Sequence, residues 1–154
     1  MPLEHRVVRR NGTASICRGP LLYTLGIEPL VTKYTPLDYR DGSHLSDSKI
    51  VTGSTNDYFL KPTSPWKYTI DPDTIQVEDN RDGNSALHNP IFSLATSPTS
   101  LTVDAYPIDW QEEKVNVANP PLQPSFDLSA KTKIRLVPFG ATQLHIADFP
   151  IVEV

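Results

Sequence analysis

The sequence predicts an all-β chain, folded as an antiparallel, jelly-roll-like β-sandwich with little or no helix. Three observations lead there. Fifteen prolines are spread through 154 residues, and each one in a helix interior would cost about 3 kcal/mol, so long helices are excluded. Apolar residues fall into short runs, several of them with a period of two. Turn signals separate the runs, and no repeat of fixed period links them.

Arg6–Arg10 and Ala14–Arg18 read as the first two strands, because Asn11-Gly12 between them is the pair that a type I′ hairpin turn requires. Gly19-Pro20 then predicts a bend or bulge that aims Arg18 away from the sheet, before Leu21–Ile27 resumes. Residues 35–57 are polar and aperiodic and read as a long surface loop within one domain spanning 1–154. Tyr58–Lys61, Trp66–Ile70 and Ile75–Glu78 follow as strands, the last two parted by a turn at Asp71-Pro72-Asp73. In Ser100–Tyr106 the alternation turns Leu101, Val103 and Ala105 inward and Thr102, Asp104 and Tyr106 outward. Lys114–Val117 is a further short strand. In Lys133–Pro138, Ile134 and Leu136 point in while Lys133 and Arg135 point out. Pro138-Phe139-Gly140 predicts a corner between sheets before Gln143–Ile146. Asp41-Gly42, Asp82-Gly83 and Asn119-Pro120-Pro121 mark loops.

A single chain of this length can bury roughly two thirds of its unfolded surface, enough for a core without disulfides. One cysteine, Cys17, rules out a disulfide scaffold and any zinc site of several thiolates. The four histidines (His5, His44, His88, His145) have no metal-ligand spacing, so no metal is expected. With a net charge of −4 and one basic cluster, Arg6, Arg9 and Arg10, the chain lacks a nucleic-acid footprint. Its apolar runs are far shorter than the roughly twenty residues of a membrane span, and its first residues have no secretory-signal pattern. No cofactor, nucleic-acid or membrane partner is expected. Asn11-Gly12-Thr13 is a glycosylation sequon, usable only in a secretory setting.

Candidate chemistry is sparse. Asp71, Asp73, Glu78, Asp79 and Asp82 are concentrated enough to suggest paired carboxylates, yet their placement fits solvated turns better. Glu78 to Gly83 imitates the opening of a calcium loop, but Asn89 stands where a bidentate glutamate belongs. Cys17 has no nearby histidine and reads as a buried, inert thiol. No Gly-x-Ser-x-Gly, Gly-x-Gly-x-x-Gly or P-loop pattern occurs, so no catalytic residue is named. The aromatic residues are more suggestive. Trp66 and Tyr68 would share one face of a strand and, with Trp110 and Tyr106, could form a platform on which sugar rings stack; the competing reading is that they are core.

Three segments carry a resemblance: Thr13 to Glu28, containing Arg-Gly-Pro-Leu-Leu-Tyr; Trp66 to Ile70; and Leu136 to Pro150, containing Val-Pro-Phe-Gly-Ala-Thr. Together with Leu101–Trp110 they resemble the C-terminal β-sandwich region of glycoside hydrolase family 127, the β-L-arabinofuranosidase-like proteins. The resemblance implies catalysis on a large α/α barrel, where a cysteine nucleophile and a glutamate work beside zinc. None of those residues has a counterpart here. The implied role is a noncatalytic ancillary domain, with a catalytic barrel in cis or self-association as partner. The alternative is a stand-alone carbohydrate-binding module using Trp66, Tyr68 and Trp110, with arabinose-containing glycans as ligands. Arg18 is the candidate domain-interface contact, against internal pairing with a carboxylate such as Glu28 or Asp148.

Overall fold

The computed structural model describes residues 4–34, 56–79, 89–113 and 117–152. The fold is all-β, and the described residues include two single turns of 3-10 helix, at Leu128–Ala130 and Phe139–Ala141. Among the described residues ten strands run in chain order: β1 His5–Arg10, β2 Thr13–Arg18, β3 Leu21–Ile27, β4 Pro29–Tyr34, β5 Asp57–Pro62, β6 Tyr68–Asp79, β7 Thr99–Pro107, β8 Thr132–Pro138, β9 Leu144–Ile146 and β10 Phe149–Pro150. The principal sheet follows the order β1-β2-β3-β8-β7-β6, with every named pairing antiparallel. It curls until nearly closed, so that one apolar face is enclosed, as a sandwich would enclose it.

The first hairpin forms as its turn residues require: Asn11 and Gly12 have φ of 48° and 81°, and Arg10 faces Thr13. Gly19-Pro20 is a second two-residue turn rather than a bulge. Arg18 faces Leu21 across it, and Gly19 takes the positive φ of 57° that the first central residue of such a turn can need.

The C-terminal segment is a wedge. Leu25 of β3 pairs with Leu136 and also with Ile146, and a strand residue has one neighbour on each side, so β8 and β9 flank β3 on opposite edges. By the same logic Ala14 of β2 lies between Arg9 and Phe149. The β2–β3 pairing ends at Ile16 and Tyr23, and β9 and β10 fill the fork beyond it. Pro138, which has no N–H to continue a ladder, and the 3-10 turn after it carry the chain from one edge of β3 to the other. The wedge also reaches β6: Ile151 bridges Ile70, the Val152 N–H donates to the Ile70 carbonyl at 2.9 Å, and the Ile151 N–H donates to Gly12.

The two strands predicted on either side of Asp71-Pro72-Asp73 are one strand, β6, bent by a bulge between Asp71 and Gln76. The bulge is held by local bonds. Thr74 Oγ1 donates to the Asp71 carbonyl at 2.8 Å and accepts from the Asp104 N–H at 2.9 Å, which supplies the ladder contact that the irregular stretch lacks.

Leu101, Val103 and Ala105 are fully buried, as their alternation requires. The opposite face of β7 is not solvated: Thr102, Asp104 and Tyr106 are buried as well. Phe126 packs on the Tyr106 ring at 4.9 Å, and Lys131 and Lys133 close over Asp104, so the segment leading into β8 covers that face. A period of two records which residues share a face, and says nothing of what a distant segment lays over it.

β4 and β5 form a separate two-stranded ribbon. β4 has no counterpart among the predicted strands. The expected loop at 35–57 overlaps β5 at Asp57; its residues 35–55 lie outside the described residues. Outside them too lie the turns at Asp41-Gly42 and Asp82-Gly83, the middle of the calcium-like stretch, and residues 114–116 of the predicted strand Lys114–Val117, of which Val117 bridges Glu112.

Candidate functional site

The predicted aromatic platform divides. Trp110 is 2% exposed, and its indole Nε1–H donates to the Ala118 carbonyl at 2.9 Å. Trp66 is 7% exposed and meets Trp110 edge-on, with ring centroids 5.5 Å apart and planes at 60°. Tyr106 is buried against Phe126. Trp110 and Tyr106 therefore belong to the core and offer no face to a sugar; burying a large ring is favourable once its polar edge finds a partner. Trp66 precedes β6 and does not share a strand face with Tyr68, which is the first residue of that strand and is half-buried.

Trp66 and Tyr68 nevertheless line one open cleft of about 620 Å³, between the β5–β6 connection and the end of β7, together with Pro65, Lys67, Ile108 and Glu112. Lys67 Nζ lies 3.0 Å from Glu112 Oε1 and 5.2 Å from the centre of the Trp66 ring. The Ile108 N–H donates to the Lys67 carbonyl at 3.1 Å, joining the two walls. Sequence periodicity pointed to two of these residues but not to the Lys67–Glu112 pair, whose members are 45 positions apart in chain number.

Arg18 is engaged inside the fold. Its Nη1 donates to Thr99 Oγ1 at 2.9 Å and to Asp79 Oδ1 at 3.3 Å, and its side chain is 13% exposed. The hydrogen bond that Arg18 donates to Asp79 is the largest cause that raises the guanidinium pKa above its usual value, against burial, which lowers it. Thr99 Oγ1 is also 3.0 Å from the Tyr23 hydroxyl, so β2, β3, β6 and β7 meet at this knot. The internal pairing foreseen with Glu28 or Asp148 is made with Asp79, because the curled sheet carries the end of β6 to the end of β2. Asp148 instead accepts from the hydroxyls of Thr13 (3.0 Å) and Ser15 (3.3 Å).

Asp104 is the most enclosed carboxylate among the described residues, with Lys131 Nζ at 2.6 Å and Lys133 Nζ at 3.2 Å. Lys131 above all, with help from Lys133, holds its carboxyl below the ordinary range, against the opposing effect of burial. His145 packs on Phe139 with ring centres 4.1 Å apart, its buried Nδ1 has no hydrogen-bond partner, and burial lowers its pKa. Cys17 is partly exposed rather than buried. Among the described residues no three His, Cys, Asp or Glu side chains gather as a metal site, and no helix is long and apolar enough to cross a membrane.

No family model, curated protein or solved structure matches the chain.

Proposed function

We propose that this chain is a noncatalytic ancillary β-sandwich domain, similar to the C-terminal region of β-L-arabinofuranosidase-like glycoside hydrolases, that docks on a catalytic α/α barrel in cis. The observation that carries the reading is the β4–β5 ribbon. Leu30, Val31, Tyr58 and Phe59 are each about half exposed or more, at 57%, 48%, 58% and 47%. The register Thr32↔Phe59 and Val31↔Leu60 spreads these apolar groups over both faces of the ribbon. Two strands alone are marginal in water, and clustered exposed apolar side chains mark docking surfaces. The ribbon is fixed at its base, where the Thr63 N–H and hydroxyl both donate to the Glu28 carbonyl at 2.8 Å and the Glu28 N–H donates to Ser64 Oγ. Further support comes from the two most specific segments of the resemblance. They meet in space, since Tyr23 of the first lies opposite Pro138 of the second.

The test is an immunoblot of source-cell extract and medium with an antibody against this chain. A band well above 17.2 kDa is expected; a band only at that size overturns the cis-docking role. Zinc-dependent release of arabinose by the purified chain alone would equally refute a noncatalytic assignment. Arg18, engaged with Asp79 and Thr99, braces the domain from within, and the docking face is assigned to the ribbon.

A further inference from the structure

We propose that the cleft beside Trp66 and Tyr68 binds a sugar ring, with Tyr68 and the rim of Trp66 as the apolar wall and Lys67 and Glu112 as hydroxyl partners. The proposal stands on the cleft alone and does not rest on the ancillary role. Its volume, about 620 Å³, lies within the roughly 300–1,000 Å³ of small-molecule sites. Its walls are already ordered: Trp110 buttresses Trp66 edge-on and is itself anchored on Ala118, and the Ile108–Lys67 backbone bond ties the two walls together. A pre-built wall spares a ligand the ordering cost of binding.

The chemistry of the lining selects the ligand class. An entirely apolar ligand would leave the Lys67–Glu112 pair desolvated and unrewarded. An anion meets Glu112, and a simple cation meets Lys67 and Lys61. A sugar ring has apolar C–H faces for Tyr68 and Pro65, and hydroxyls that donate to Glu112 while accepting from Lys67. Those two side chains are 58% and 35% exposed, so a ligand reaches both without breaking the core. A proline-rich peptide is disfavoured, because proline carries no N–H to donate to Glu112.

The decisive experiment is a two-dimensional amide NMR titration of the full chain with linear arabinotriose, with a neutral galactose trimer and, separately, with a polyproline peptide. The chain has two tryptophans, so the two indole N–H signals report separately. Millimolar binding of either saccharide is expected, moving the Trp66 indole and the amides around Lys67 and Glu112. Tyr68→Ala should weaken it at least tenfold, which is about 1.4 kcal/mol. Should Tyr68→Ala fail to fold, Glu112→Gln and Lys67→Gln, both at solvent-reachable positions, should each weaken binding severalfold. Saturating saccharide that leaves the cleft signals unmoved, shifts confined to another surface, polyproline binding in the cleft without saccharide binding, or retained affinity in both rim variants would each overturn the proposal.

Discussion

Leu94 packs directly on Gly26, the next-to-last residue of β3, and a Cβ at that position would occupy the space of the Leu94 side chain. The segment that carries Leu94 is pinned in turn, because Arg135 Nη1 donates to the Leu94 carbonyl at 2.8 Å. Gly26→Ala should therefore destabilise the chain by about 1–3 kcal/mol through overpacking. Adding Leu94→Ala should recover part of that loss, since each change relieves the other. A double-mutant cycle from urea denaturation checks this; strictly additive effects would contradict the contact.

Arg18→Ala should lower stability by about 1–3 kcal/mol, because a charge-assisted hydrogen-bond knot is lost and Asp79 and Thr99 are left facing each other. Arg18→Lys should rescue little, since one ammonium cannot reproduce the spread of guanidinium donors. Urea midpoints of the isolated chain are the measurement. An unchanged midpoint would return Arg18 to a role at a domain interface.

Phe149→Ala should cost about 3–5 kcal/mol, the loss typical of a large ring deleted from a packed interior. Phe149 has no exposed surface and lies opposite Ala14 in the fork between β2 and β3. Because the wedge also bonds Gly12 and Ile70, amide exchange should rise in β2 and β6 together. Exchange confined to the last residues would show the wedge to be an appendage.

Asp104 sets an acid limit. Its folded pKa is lowered, so its contribution is complete above the unfolded carboxylate value near 3.9 and is lost as pH falls through the folded value. Asp104→Asn should be less stable than wild type at pH 7, and the gap should narrow below about pH 4. Lys131 titrates the other way. Its raised pKa makes its contribution complete below about pH 10.4 and lost as pH rises through the folded value. Denaturation midpoints across pH at low salt decide this, because half-exposed lysines are screened readily.

His145 bends the curve between these limits. Its lowered folded pKa means that the unfolded chain binds the proton more readily, so stability should decline as pH falls below about 6.5. His145→Gln should flatten that decline. An identical slope in both proteins would place the titrating group elsewhere.

Local chemistry determined much of this molecule. Asn11-Gly12 fixes the first hairpin because both turn residues must take positive φ, and Leu101, Val103 and Ala105 mark a buried face because successive strand residues point to opposite sides. Trp66 and Tyr68 are expected from their spacing to share one strand face; they line one cleft instead, with Trp66 outside the strand. Only the tertiary structure decided the rest. Trp110 is core rather than surface, Asp104 lies under two lysines, Arg18 finds Asp79 rather than Glu28 or Asp148, and residues 144–152 fill the fork left by β2 and β3. The physical reason is common to all four. Each depends on which distant segment the curling sheet brings against a residue, and neither a local dihedral preference nor a period of two contains that information.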